Sequence, residues 1–386
     1  VTSYPRPPYL GDPPGRVVGD VVFAASAPDV SFLAADGSHT TPTSGATALA
    51  AQSQLWNISA NVVVNDSETT ASSDCVISGG NLYYSNNAGA IKHKVTNGSG
   101  TGAISTDSTN ADWSSTNSQG WQMQLANGIW YRCYLSIASG AIQVDWASAP
   151  GGAWTTLAVA PFASSVTQYG IWYSPSSGKW YCSSGLGLHQ SSDGKTGWTA
   201  IGSAVTSFRS FCDVGGVLYF FGDSGLVRKI STPYTSSTDY TATSTGSLPD
   251  SGIVVYNPVV GKFFGMAGSA MVSSTNPTST WTDESLHSYS GTVGRVGAIL
   301  VRSSGLMVAV GRFSCAWSRG DGFWGWINTG GPSNSSSFWT AVDFDTYLHV
   351  YESQSRPLLM DNGLDRFRLP TIASLNGLTA YIKVSQ

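Results

Sequence analysis

Seven aromatic residues stand 41 to 45 residues apart down this chain: Trp113, Trp154, Trp198, Tyr240, Trp281, Trp326 and Phe367. Each closes the same local pattern of two apolar runs split by a Gly/Asn/Ser turn, a third run, and a polar turn. Unit three reads GIWYS-PSSG-KWYCS-SGLGLHQ-SSDGKTGW from Gly170 to Trp198, and unit five reads GIVVY-NPVVG-KFFGM-AGSAMVS-STNPTSTW from Gly252 to Trp281. A unit this short cannot bury its own apolar surface and must stack on its neighbours. A period of about 40–50 residues made of short strands predicts an all-β chain, a β-propeller with one four-stranded blade per repeat. The units run at 72–116, 120–157, 168–203, 208–246, 251–287, 295–329 and 338–368, a seven-bladed count. Six or eight blades would follow if the less regular end units were read differently. Ile129–Tyr131, Ile171–Tyr173, Ile253–Tyr256 and Ile299–Val301 read as first strands. Their runs are continuously apolar rather than alternating, as expected where both sheet faces pack on other blades.

Composition narrows the partners. Only 11% of the 386 residues are charged, against 41% apolar and 12% aromatic, which gives ample core material and excludes the disordered class. A net charge of −4, with basic clusters no larger than Lys92/Lys94 and Arg228/Lys229, leaves no footprint for nucleic acid. No apolar run approaches the roughly 20 residues that a membrane-spanning helix needs. The start at Val1 is Pro-rich and polar, without a signal-peptide pattern. Cys75, Cys133, Cys182, Cys212 and Cys315 share no CxxC or metal-ligand spacing and read as small buried hydrophobes of a chain made in a reducing cytosol. No motif calls for a metal or another cofactor.

The ends differ from the middle. Residues 1–15 carry five prolines and read as an extended arm. Short strands follow at Val17–Val22 and Ser31–Ala34, then one short helix at Thr43–Trp56, Ala/Leu-rich and capped by Thr43 or Ser44. The repeat region spans 61–368, leaving 16–60 and 369–386 as flanking segments.

Two resemblances bear on these segments. Ser191-Ser192-Asp193-Gly194-Lys195-Thr196-Gly197-Trp198 resembles the Asp-box turn of sialidase-like propellers, S-x-D-x-G-x-T-W, with the glycine one place early. Looser versions stand at Ser273–Trp281 and at Ser318–Gly322 before Trp326. In such a turn the Asp accepts backbone N–H bonds, Gly takes the positive φ and Trp plugs between blades. Secondly, Gly19-Asp20-Val21, Ala27-Pro28 and Phe32-Leu33-Ala34-Ala35-Asp36-Gly37-Ser38 resemble the opening of phage tail-collar domains. Phe367-Arg368-Leu369-Pro370 is similar to that family's F-x-L-P segment, and Gly377–Val384 to its closing strand. Val30-Ser31 stand where the family has a glycine before its Trp/Phe-Leu. The resemblance implies a tailed-phage virion protein, one collar-like β domain made of 16–60 and 369–386 with the propeller inserted, and a homotrimer.

Chemistry is weakly signalled. A sialidase-like site needs an arginine cluster and a tyrosine nucleophile beside a glutamate. The three glutamates are Glu68, Glu284 and Glu352, and Tyr351 and Glu352, as neighbours in a strand, point to opposite faces. The five histidines lack metal spacing, and no GxSxG, P-loop or dinucleotide fingerprint is present. Binding is better signalled. Trp121, Trp146, Trp317, Trp324 and Trp339 fall off the period and suit stacking on sugar C–H faces or protein anchors. Trp317, Arg319, Asp321 and Trp324 combine rings, guanidinium and carboxylate in one segment, and Asp193 with Lys195 is a second candidate, as is Arg228-Lys229. The expectation is a tail-fibre or spike adhesin that binds a host-surface glycan and other virion proteins. A virion scaffold component, a glycan depolymerase and a cellular lectin are the alternatives.

Overall fold

The computed structural model describes residues 21–24, 32–34, 39–40, 62–65, 75–85, 89–95, 103–114, 123–139, 142–157, 170–184, 187–202, 208–222, 225–241, 243–244, 253–267, 270–284, 296–303, 305–311, 315–318, 325–327, 338–344, 347–352, 358–361, 367–368 and 379–383. The chain divides into two compact units, Ala60–Asn362 and the joined ends Val1–Ser59 with Gly363–Gln386. The arm at 1–15 and the helix expected at Thr43–Trp56 lie outside the described residues.

Among the described residues, the larger unit is a β-propeller of seven blades, each with four antiparallel strands. Two blades add a fifth, two-residue strand, Trp113–Ser114 in blade two and Thr243–Ser244 in blade five. Blade one holds Cys75–Ser78, Asn81–Ser85, Ala90–Val95 and Ile104–Thr109, joined antiparallel in chain order. The next five blades repeat this order, with first strands Met123–Ala126, Gly170–Ser174, Phe208–Val214, Val254–Asn257 and Val296–Val301. Blade seven begins with Phe338–Phe344, and the seven first strands neighbour one another in a closed ring, the seventh returning to the first.

Blade two corrects the strand phase expected from the sequence. Its first strand is Met123–Ala126, and Ile129 opens the second strand, Ile129–Ser136. The turn between them is Asn127-Gly128, with φ of 45° and 80°, the paired positive values of a two-residue hairpin. Two of the aromatic markers also change role. Trp113 begins a two-residue strand that pairs with Leu135-Ser136 of blade two rather than closing blade one. Phe367 pairs with Thr40, in a two-stranded sheet of His39–Thr40 with Phe367–Arg368 that belongs to the terminal unit. The fourth strand of blade seven is Val62–Asn65, from before blade one, paired to Leu358–Asp361. The ring is thus closed by a strand from the opposite end of the propeller's sequence.

The second strands explain the continuous apolar runs. Successive strand residues point to opposite faces, and each blade faces two neighbours. Tyr83 packs towards blade two and Tyr84 towards Val342 of blade seven. Trp130 lies with Ile91 of blade one, Tyr131 with Trp180 and Cys182 of blade three. Tyr181 and Phe220 share a cluster between blades three and four; Phe221 and Phe263 share the next, with Trp281; Phe264 packs on Ile299 and Met307 of blade six. An aromatic dipeptide therefore supplies one ring to each side, and the core is a series of inter-blade layers.

The first strands would leave one edge unpaired, and side chains from the preceding blade fill it. Gln124 Oε1 accepts from Ile171 N–H at 2.8 Å, and Ser210 Oγ accepts from Val254 N–H at 2.9 Å. Cys212 Sγ, two residues on, donates to Val254 O at 3.8 Å. These contacts satisfy buried backbone groups that no ladder reaches.

In the terminal unit, Thr379–Lys383 lies between Val21–Ala24 and Phe32–Ala34, antiparallel to both. The two ends of the sequence therefore share one small sheet.

Candidate functional site

The turn joining the third and fourth strands of blade three carries two of the candidates, Asp193 and Lys195. Its frame is Ser191, whose Oγ accepts from the N–H groups of Asp193 and Gly194 at 3.2 and 3.1 Å. The same oxygen stands 2.6 Å from Thr196 O and 2.9 Å from Asp193 Oδ1, as a single hydroxyl donor shared by two acceptors. Asp193 Oδ1 accepts from the N–H groups of Lys195 and Thr196, both at 2.8 Å, and Oδ2 from Thr196 Oγ1 at 2.7 Å. Partial burial alone would raise the Asp193 pKa. The Thr196 N–H and hydroxyl, the Lys195 N–H and the Ser191 hydroxyl outweigh it and hold the carboxyl well below the usual range. Asp193 is a turn carboxylate whose oxygens are already engaged.

Gly194 bears the packing side of this turn. Its φ is +70°, and a Cβ there would stand 2.4 Å from Tyr131 Oη and 2.8 Å from Trp180 Cδ1. Tyr131 Oη donates to Gly194 O at 2.8 Å, fastening blade three's turn to blade two. Burial drives the Tyr131 hydroxyl far above its ordinary pKa, so it stays a donor. Trp198 then enters the cluster of Tyr131, Cys133, Trp180 and Cys182, 8% exposed.

Blade five builds the same turn with an amide. Ser274 Oγ donates towards Asn276 O and Thr280 O at 2.8 and 2.6 Å and accepts from Asn276 N–H at 3.1 Å. Asn276 Oδ1 accepts from Thr278 N–H and Oγ1 at 3.3 and 2.9 Å. Trp281 Nε1 donates to Pro277 O at 3.1 Å, as Trp154 Nε1 does to Pro150 O at 3.3 Å in blade two. In blade three the carbonyl four residues before Trp198 is that of Gly194, which accepts from Tyr131. The buried Trp198 Nε1 finds no partner among the described residues.

The segment preferred from sequence falls largely outside the described residues: Arg319, Asp321 and Trp324 are not among them. Trp317 lies in Cys315–Ser318 with its backbone opposite Val308 and Gly325, and Trp326 lies in Gly325–Ile327. These are the third and fourth strands of blade six, so the segment between them corresponds in order to the turn of Asp193 and Lys195.

Arg228, a secondary candidate, is corrected. It is fully buried, makes a two-armed contact with Asp239 at 2.6 and 2.8 Å, and donates to Ile201 O at 2.9 Å. This fastens the end of blade three to blade four and leaves no guanidinium for a ligand. Arg132 plays a comparable part in blade two: Nε and Nη2 reach Asp145 Oδ2 at 2.9 and 2.7 Å, and Thr156 Oγ1 donates to Asp145 Oδ1 at 2.9 Å. His93 Nδ1 lies 2.9 and 2.8 Å from the two Asp107 oxygens across blade one. Glu284 is buried, 4.0 Å from Lys262. Burial lowers the pKa of His189, whose Nδ1 has no partner among the described residues.

Lys195 remains. Its Nζ stands 4.3 Å from the ring centroid of Trp146, which is half-buried in blade two's third strand. Sequence reasoning named both residues but could not join them, because they lie in different blades. Among the described residues no three His, Cys, Asp or Glu side chains gather as a metal site, and no helix is long and apolar enough to cross a membrane.

No protein-family model matches the sequence, and no curated protein matches it. Solved structures do resemble the fold. YCF48 bound to D1 peptide aligns at a TM-score of 0.56 and 13% identity, over 77% of this chain and 94% of that one. Virginiamycin B lyase from Staphylococcus aureus aligns at 0.57 and 10%, over 76% and 95%. A catalytically inactive variant of that lyase with quinupristin aligns at 0.56 and 11%, over 78% and 97%. At such identities the likeness defines a class, the β-propellers, which includes an enzyme, and carries no activity to this chain.

Proposed function

We propose that this chain is a structural protein of a tailed-phage virion, a tail-fibre or spike adhesin whose propeller binds a host-surface glycan and leaves it intact. The observation that carries the reading is the pairing of the termini. Segments that resemble the tail-collar family, or directly follow one, come together: Val21–Ala24 and Phe32–Ala34 on Thr379–Lys383, and His39–Thr40, just after the motif ending at Ser38, on Phe367–Arg368. A small terminal unit with a large propeller inserted suits a particle-bound base that displays a binding module. Binding over chemistry is supported by the carboxylates of Asp107, Asp145, Asp193, Asp213 and Asp239, all held in intrachain contacts. Several copies on one particle turn weak single sites into firm attachment.

The test is binding of the purified full chain to intact bacteria from a panel of strains and to their extracted surface glycans, with product analysis. Saturable binding to a strain's glycan without shortening is the expected result. Shortened glycan would make the chain a depolymerase. Incorporation into particles with no binding to any cell would make it a scaffold part.

A further inference from the structure

Lys195 of blade three meets Trp146 of blade two through its ammonium alone. The turn that carries Lys195 is held through its backbone N–H, on Asp193 Oδ1, and not through its side chain. Asp193, two residues away, is fully engaged by its own turn. Among the described residues, therefore, the Lys195 ammonium has an aromatic ring beneath it and no carboxylate partner. Three other cations of this unit do have carboxylate partners, Arg132 in Asp145, Arg228 in Asp239 and Lys262 in Glu284, while Lys179 is held by Gln190 Oε1 and Tyr234 O.

Trp146 has one side against the packed layer of Tyr131, Trp180 and Trp198, while the ammonium lies over its ring. Thr155, opposite Trp146 in the fourth strand, is exposed, as are Ser192 and Thr196 of the turn. The place thus offers an indole face, a cation on a flexible four-carbon stem, and hydroxyls at the rim. A surface contact between ammonium and ring is weak and readily exchanged, so an arriving anion can draw Lys195 off the ring and vacate the face.

We infer that Trp146 and Lys195 form a subsite for an acidic sugar, whose carboxylate pairs with the Lys195 ammonium while its C–H face stacks on the Trp146 indole. The inference rests on the glycan-binding reading above and names the class of residue at one of its contacts. Ring and charge are both needed: the ring alone would take neutral sugars, and the ammonium alone would take any anion.

The test uses the full chain with oligogalacturonate as the acidic probe and the corresponding neutral galactose oligosaccharide as control, read by calorimetry and tryptophan fluorescence. Wild type is expected to bind the acidic probe more tightly than the neutral one, with a change in emission and a loss of affinity in salt. Lys195→Gln leaves the turn's bonds in place and should weaken acidic binding about tenfold, while Lys195→Arg keeps it. Trp146→Leu should reduce binding of both probes. Equal binding by Lys195→Gln and wild type would overturn the inference. So would a wild-type chain that binds bacteria or neutral glycans and not oligogalacturonate. Lys195-dependent binding of the acidic probe by a chain that attaches to no bacterium would keep the subsite and sink the adhesin.

Discussion

Gly194 and Gly197 share one turn and similar positive φ values, yet they should respond differently to the same substitution. Gly197 has φ +61° and nothing within 4 Å of where a Cβ would stand. Gly197→Ala therefore meets only the left-handed backbone cost, about 1–2 kcal/mol. Gly194→Ala meets that cost at φ +70° and adds contacts of 2.4 Å with Tyr131 Oη and 2.8 and 2.9 Å with Trp180. Neither neighbour is a flexible tip, since both belong to the packed layer between blades two and three. Overpacking adds about 1–3 kcal/mol, and breaking the Tyr131–Gly194 hydrogen bond in a buried setting adds about 1–3 more. Gly194→Ala should thus lose about 3–8 kcal/mol, at least twice the loss of Gly197→Ala. Urea unfolding followed by tryptophan fluorescence measures both, with the slope checked for a common transition. A cycle with Tyr131→Phe sharpens the result. Removing the phenolic oxygen costs about 1 kcal/mol in the parent chain. In the Gly194→Ala chain the same change makes room for the added methyl, so it should cost less or restore stability. Equal losses for the two glycine variants would refute the claim that this turn is an inter-blade fastener.

Asp239→Ala should lose about 3 kcal/mol, because it leaves the fully buried Arg228 without its carboxylate, while Arg228→Met in the same chain should recover part of the loss. Asp239 is 31% exposed, which holds the effect to the lower end, and urea midpoints of the three variants decide it. Asp193→Asn should be less stable than wild type at neutral pH. The Asp193 pKa is depressed in the folded state, so its contribution is complete above the unfolded value of about 3.9 and fades as pH falls through the folded value. The gap between the two chains should therefore narrow below about pH 4, and a constant gap down to strong acid would contradict the assignment. Replacing Val62-Val63-Val64 by Gly-Ser-Gly should open the seventh blade, seen as a lower melting temperature and protease cleavage within 338–361.

The period of the aromatic residues made the blade architecture legible because each unit must close against the next with a bulky plug, and Trp154, Trp198 and Trp281 stand in comparable turns. Strand phase was less legible in blade two, although Asn127-Gly128 was its signal: two residues able to take positive φ between apolar runs mark a hairpin. The closing strand was not legible at all. Phe367 continues the spacing by 41 residues from Trp326, yet its pairing with Thr40 places it in the terminal unit. Local pattern records which residues favour strands; it does not record which distant strand fills an edge. Val62–Asn65, a β-branched run, carried only the first kind of information.

The same limit governed the candidate site. Asp193 and Lys195 stood out together as a charged pair in one turn, and the fold separates them by direction. The carboxylate turns inward to bond the backbone of its own loop, while the ammonium reaches over the ring of the preceding blade. A propeller makes such separations routinely, because each blade's turn lies beside residues some forty positions earlier. Residues that fasten one blade to the next, such as Arg228, Tyr131 and Asp213, whose carboxylate accepts from the Ser174 and Ser176 hydroxyls of blade three, look in sequence like ligand-binding groups, having the same polar chemistry. What distinguishes them is saturation: each finds its partner within the chain. The Lys195 ammonium differs in its contact, an aromatic ring at the edge of a packed layer and not a polar acceptor.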